Sequence, residues 1–213
     1  MDIATTVGTT VMYDYYNKLG LNTTTGIDFT GEIGGLLIKE ENVKTVDIAR
    51  MGFGQAIAVT PIGLLSAACA VINGGLKITP YFLESACDQT GKVVYKHENK
   101  VGERVFSEST SNMMRSFLQG VVDVGGGKKA AVEGYSIGGK TGTAQKYENG
   151  AIASGKYISS FLGFSTVENP EYAVLFIVDE PQGYLYYGSF VAAPFVGKLF
   201  KNIFDYRGIK PYR

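Results

Sequence analysis

The chain has 213 residues, enough to bury a full hydrophobic core in one domain. Hydrophobic residues make up 45% and charged residues 19%, which excludes a disordered or coiled-coil chain. Lys+Arg and Asp+Glu both number 20, so there is no net field to draw in nucleic acid, and nucleic acid is not an expected partner.

The opening segment MDIATTVGTT has no basic region and no apolar core, so it does not read as a signal peptide. Residues 9–19 place Val11, Met12, Tyr15, Tyr16 and Leu19 at helical spacing, with Gly20 as a stop. Residues 22–50 are polar and Gly-rich and read as an irregular excursion. Residues 60–73 form the clearest helix. Thr60 suits the N-cap and Pro61 the first turn. Ile62, Leu65, Cys69 and Ile72 share a face, and Asn73-Gly74-Gly75 ends the helix. Its 11-residue apolar run falls short of the roughly 18–20 needed to span a bilayer, so it reads as buried.

The period then changes to two. Residues 77–87 and 92–98 are β-rich runs joined by Asp88-Gln89-Thr90-Gly91, a hairpin signal. Residues 109–123 return to helical spacing, with Met113, Met114, Phe117, Leu118, Val121 and Val122 as the apolar face and the Met pair as core filler. Residues 135–147, 157–166 and 172–180 read as three strands, the last two joined at Glu168-Asn169-Pro170-Glu171. YAVLFIVDE is nearly all apolar and is expected to be a central strand buried on both faces. A closing helix over 191–205 carries Phe195, Leu199 and Ile203 on one face, with Val196, Phe200 and Phe204 beside them. The order implies an α/β or α+β fold with a mostly antiparallel sheet. Cys69 and Cys87 read as buried small hydrophobes. With His97 the sole histidine and no CxxC, a zinc site has no support, and no metal or other cofactor is expected.

The chemically suggestive stretch is GYSIGGKTGTAQK, residues 134–146. It fits the phosphate-binding loop G-x-x-x-x-G-K-[ST] through Gly134, Gly139, Lys140 and Thr141. That loop needs a helix immediately after it. Instead Thr141, Thr143 and Gln145 alternate with Gly142, Ala144 and Lys146, which places Lys140 on a strand. The nucleotide-hydrolase reading is therefore the weakest. The same residues contain Lys-Thr-Gly, the third signature element of serine penicillin-recognising enzymes. The adjacent Asp179-Glu180 reads as a solvated strand end, because neighbours on a strand point to opposite faces.

The surrounding blocks agree with Lys-Thr-Gly. GKTGTAQK, TGIDFTGE at residues 25–32, MGFGQAIAVTPIGLLSAACAVINGG at 51–75, ISSFLGFSTVENPEYAVLFIVDEPQG at 158–183 and YYGSFVAAPFVGKLF resemble, in family order, the class B penicillin-binding proteins, the D,D-transpeptidases that cross-link peptidoglycan. The resemblance implies a serine β-lactamase/penicillin-binding-protein-like fold, an antiparallel sheet flanked by helices. It implies a peptidoglycan stem peptide or β-lactam as ligand, other cell-wall synthesis proteins as partners, and a parent anchored at the extracytoplasmic face of the bacterial membrane. By the same resemblance Lys140 supplies a fixed cation. Thr141 and Thr143 contact the substrate carboxylate, Gly142 admits substrate backbone, and the Thr143 N–H completes an oxyanion hole.

Two family elements do not occur. No Ser is followed three residues later by Lys, and Ser136 to Lys140 and Ser154 to Lys156 have the wrong spacing. Ser-x-Asn is also absent. The expectation is that residues 1–213 are the C-terminal portion of a transpeptidase domain, incomplete at the N-terminus. Alone, such a portion is inactive. A non-catalytic module of the same fold is the alternative.

Overall fold

The computed structural model describes residues 1–98, 102–149 and 151–212. They form two compact units, Met1–Ser107 and Glu108–Arg213.

In the first unit, α1 (Asp2–Val7) and α2 (Thr9–Leu19) are followed by a 3-10 turn at Glu40–Asn42, then α3 (Thr45–Met51), α4 (Pro61–Ile72), β1 (Ser85–Cys87) and β2 (Val93–Lys96). α2 ends as its sequence indicates. Gly20 turns left-handed at φ 73°, and the Leu21 N–H reaches back to the Tyr16 carbonyl at 3.0 Å. Residues 22–50 are less irregular than expected, because α3 lies within them. The Asp47 carboxylate accepts the Lys44 N–H at 3.0 Å, and Ile48 and Met51, three apart, pack with Ala4 and Tyr13 into a small core.

The TGIDFTGE loop is held by its two carboxylates. Glu32 accepts the Thr25 N–H at 2.7 Å, the Thr25 hydroxyl at 2.6 Å and the Gly26 N–H at 3.0 Å. Asp28 accepts the N–H groups of Phe82 at 2.6 Å and Leu83 at 2.8 Å. α4 starts as expected, with Thr60 Oγ1 accepting the Gly63 N–H at 3.2 Å. Its buried residues are Gly63, Ser66, Ala67, Ala70 and Ile72, so Ile62, Leu65 and Cys69 are not the buried face. The helix buries its small side chains, which permit close backbone approach. β1 and β2 pair antiparallel, and Asp88 closes their turn by accepting from the Thr90 N–H and hydroxyl and the Lys92 N–H. Cys87, on this hairpin, is exposed, which corrects its reading as a buried thiol. Cys69 is half-buried, and burial raises its thiol pKa.

The second unit comprises α5 (Glu108–Asp123), a 3-10 turn at Lys128–Ala130, β3 (Ile137–Glu148), β4 (Ala151–Ser165), β5 (Tyr172–Asp179), α6 (Gly188–Val191) and α7 (Ala193–Arg207). The three strands form an antiparallel sheet in the order β3-β4-β5. Among the described residues β4 lies between β3 and β5, and the β5 side chains are half-buried or exposed, so YAVLFIVDE is not buried on both faces as expected. α7 covers one face of β5, including the Phe176–Phe195 ring pair.

The core gathers Val122, Ala130, Ile137, Phe161, Val196, Phe200 and Phe204. α7 therefore buries the stripe through Val196, Phe200 and Phe204, while Phe195 and Leu199 are exposed. Gly163 admits that stripe, since a Cβ there would lie 2.7 Å from Val196 Cγ1. On α5 the buried residues are Ser111 and Val122, three turns apart on one side. Met113 and Phe117 lie on the other side, 58% and 63% exposed, so Met113 is not core filler.

Candidate functional site

The site is built on β3. A run of alternating Thr and small residues forms a strand readily, and three glycines let neighbouring groups close on it. β3 pairs with β4 from Ile137↔Ser165 to Gln145↔Tyr157, which places Lys140 opposite Leu162, Thr141 opposite Phe161, Gly142 opposite Ser160 and Thr143 opposite Ser159. The other side of β3 has no strand partner among the described residues, so the motif lies on a sheet edge.

Lys140 is exposed, and its ammonium donates to the Thr141 carbonyl at 2.7 Å. It sits inside a 12-residue strand, so the helix N-terminus required by the phosphate-loop reading is not at this position. Thr141, Gly142 and Thr143 are half-buried. The Thr143 hydroxyl donates to the Gly142 carbonyl at 2.9 Å and accepts the Gly188 N–H at 3.2 Å. Gly142 has an internal reason for lacking a side chain, because a Cβ there would collide with Ser160 Oγ. Gly188 has the same need, since a Cβ on it would run into the carbonyls of Ser160 and Gly142. The start of α6 thus rests on the β3–β4 backbone at the motif.

The Tyr-rich segment before α6 completes this contact. The rings of Tyr157 and Tyr186 stack at 4.0 Å, Tyr186 and Tyr187 stack at 4.5 Å, and the Ser159 hydroxyl donates to the Tyr186 carbonyl. The Tyr186 phenol is raised well above its ordinary pKa by its hydrogen bonds, first to Tyr187 and then to Tyr157. Lys129 lies 3.7 Å above the ring of Phe190 on α6.

At the far end of β3 stands a charge cluster that sequence reasoning missed. The Lys146 ammonium lies 2.8 Å from Glu180 Oε1 and 2.9 Å from Asp179 Oδ1, and Lys156 lies 2.5 Å from Glu148 Oε1 and 3.9 Å from Glu180 Oε1. These partners hold Lys146 well above the usual lysine pKa, with Glu180 the larger cause. Asp179-Glu180 is therefore not simply a solvated strand end. Glu180 adopts φ 49°, which breaks the strand alternation and turns both carboxylates to one ammonium. No residue-level signal marks a left-handed Glu, so the convergence was invisible in the sequence.

The two serines near lysines have other roles. Ser136 donates to the Glu168 carboxylate at 2.5 Å and accepts the Val167 N–H at 3.2 Å, fixing the β4–β5 turn, and Ser154 is exposed on β4. His97 stacks on Tyr81 at 3.6 Å, within the first unit. A cavity of about 920 Å³ there is lined by Leu76, Ile78, Tyr81, Tyr95 and His97 and contains none of the motif residues.

Residues 1–204 match the transpeptidase domain of penicillin-binding proteins. Stage V sporulation protein D of Bacillus subtilis is 38% identical over 212 residues, covering 99% of this chain and 33% of that protein. The probable peptidoglycan D,D-transpeptidase PenA of Neisseria meningitidis is 34% identical over 205 residues, covering 96% of this chain and 33% of that protein. The chain thus spans about a third of the length of these relatives. The crystal structure of penicillin-binding protein 3 from Mycobacterium tuberculosis complexed with ampicillin superposes with a TM-score of 0.85 at 25% identity, covering 95% of this chain and 47% of that one.

Proposed function

Because the chain belongs to the penicillin-binding protein transpeptidase family, we propose that it forms the Lys-Thr-Gly wall of an acyl-transfer cleft in a longer peptidoglycan D,D-transpeptidase. One observation carries the reading: the motif Lys140-Thr141-Gly142 lies on a sheet edge, unpaired among the described residues, with the Lys140 ammonium at the surface. A carboxylate-bearing ligand, a stem peptide or a β-lactam, meets there a fixed cation and the hydroxyl side chain of Thr141. The Thr143 hydroxyl is engaged with Gly142 and Gly188, so its part in carboxylate binding is to shift toward the ligand, while its N–H serves the oxyanion. Gly142 keeps the strand thin. The ampicillin complex of the Mycobacterium relative supports a β-lactam as probe.

The chemistry is acyl transfer through a serine ester. The serine hydroxyl attacks the carbonyl of the donor peptide or lactam, the base takes the hydroxyl proton, and the C–N bond breaks with protonation of the leaving amine. Neither Ser-x-x-Lys nor Ser-x-Asn occurs in these 213 residues, so the nucleophile and base come from sequence outside them. The chain is then the C-terminal portion of the domain and forms no acyl-enzyme alone. The parent acts at the extracytoplasmic membrane face beside other cell-wall synthesis proteins. Among the described residues no helix is long and apolar enough to cross a membrane.

The test is a titration of the chain with ampicillin followed by residue-resolved amide shifts. Shifts at Lys140 to Thr143 at about millimolar ligand, lost in Lys140→Ala, support the wall. No shifts at that concentration overturn it and leave the non-catalytic module. Fluorescent penicillin should leave the chain unlabelled, and a covalent adduct on any Ser would overturn the missing nucleophile.

A further inference from the structure

We propose that Glu180 is a positioning residue for the motif strand, acting through Lys146 to hold β3 where its ladder to β4 breaks. The inference rests on the reading of β3 as the ligand-binding wall. The ladder is continuous up to Gln145↔Tyr157 and resumes only at Tyr147↔Ile152. Four β4 residues, 153–156, therefore bulge opposite the single β3 residue Lys146. A strand that loses its ladder is free to slide and twist, and the break begins two residues beyond Thr143.

Lys146 restores the tie by reaching across the bulge to the third strand. Its ammonium takes both carboxylates, Glu180 Oε1 at 2.8 Å and Asp179 Oδ1 at 2.9 Å and Oδ2 at 3.2 Å. Two features separate this cluster from an incidental surface ion pair. Glu180 adopts a left-handed φ of 49°, a region that non-glycine residues enter at a cost, and that conformation lets adjacent carboxylates converge. Its N–H also donates to the Tyr157 carbonyl at 2.9 Å, extending the β4–β5 pairing one residue past Asp179. Tyr157 is the last β4 residue paired before the bulge, and its ring stacks on Tyr186. The Lys146 ammonium therefore sits against a fixed acceptor. Lys156, itself in the bulge, pairs with Glu148 at 2.5 Å and lies 3.9 Å from Glu180 Oε1. Asp179 is the most exposed member, and Glu180 is the anchor.

The test is residue-resolved amide hydrogen exchange on the chain itself, for the wild type, Lys146→Met, Lys146→Arg, Glu180→Gln and Glu180→Gly. Exchange at Ala144, whose N–H faces β4 when that of Thr143 faces the ligand, should rise about tenfold in Lys146→Met and Glu180→Gln, with Gly138 unchanged. Lys146→Arg should restore protection. Glu180→Gly tolerates the left-handed backbone but lacks the carboxylate, and should match Glu180→Gln. Ampicillin affinity, read at the Thr143 amide, should weaken about tenfold in Lys146→Met and recover in Lys146→Arg. Unchanged exchange at Ala144 in Lys146→Met, or wild-type behaviour of Glu180→Gly, would overturn the proposal. Exchange needs no ligand, so failure of ampicillin to bind would sink the wall and leave the lock measurable. Intact binding with unchanged exchange would sink the lock alone.

Discussion

The Thr143 hydroxyl accepts the N–H of Gly188 at 3.2 Å, across 45 residues of chain. Gly188 is the first residue of α6, whose N–H has no acceptor inside its own helix. A strand side chain thus supplies the acceptor, and the motif strand and the segment after the Tyr-rich loop become one unit. Thr143→Val keeps the shape and removes the acceptor. It should lower stability by about 1 kcal/mol in denaturant unfolding, with Thr143→Ser close to wild type. Equal stability of all three proteins would count against the contact.

Gly142 offers a sharper test, because its space is claimed by one identified atom. Gly142→Ala should cost about 1–3 kcal/mol through collision with Ser160 Oγ. The double variant Gly142→Ala/Ser160→Ala should recover most of that loss, since Ser160 Cβ lies 3.8 Å away, an ordinary contact. A double-mutant cycle with no coupling would show that Gly142 is required for a different reason.

Ser165 is fully buried at the end of β4, and among the described residues its hydroxyl has no hydrogen-bond partner. An unpartnered buried hydroxyl costs stability, so Ser165→Ala should be neutral or stabilising by up to about 1 kcal/mol. A thermal midpoint clearly below wild type would reveal a partner for that oxygen.

The TGIDFTGE loop gives the chain an acid-sensitive element. The Asp28 carboxyl is held below its usual 3.8 chiefly by the Phe82 N–H, and Glu32 below its usual 4.5 chiefly by the Thr25 hydroxyl. A carboxylate with a depressed folded pKa contributes stability that is fully present above its ordinary value. That stability is lost as pH falls through the folded value. Asp28→Asn/Glu32→Gln should therefore melt below wild type at neutral pH, with the gap closing below pH 4.5 for Glu32 and below 3.8 for Asp28. A gap that persists undiminished to about pH 2 would exclude the carboxylates as its source.

Much of the local architecture is legible in the amino-acid sequence. α2 and α4 announced themselves through apolar spacing and their stops, Gly20 and Asn73-Gly74-Gly75. Asp88-Gln89-Thr90-Gly91 marked the hairpin, and the alternation after Lys140 placed it on a strand. These are covalent properties of short segments, namely φ preferences, capping groups and side-chain period. α3 escapes the sequence reading because its seven residues, with Ile48 and Met51 the buried pair, are too few to show a helical period within a polar stretch.

What the sequence by itself determined, then, is the type and order of the strongly patterned elements and the identity of the motif residues. The tertiary structure alone decided which phase of each pattern faces inward. It buried Val196, Phe200 and Phe204 on α7 rather than the Phe195 stripe, turned Met113 outward, and set β4 between β3 and β5. It alone brought Gly188 to Thr143, Ser160 under Gly142, and Asp179 and Glu180 to Lys146. The physical reason is that period and propensity are settled within a few residues. Burial phase and cross-strand partners depend on what another segment, tens of residues away, places opposite.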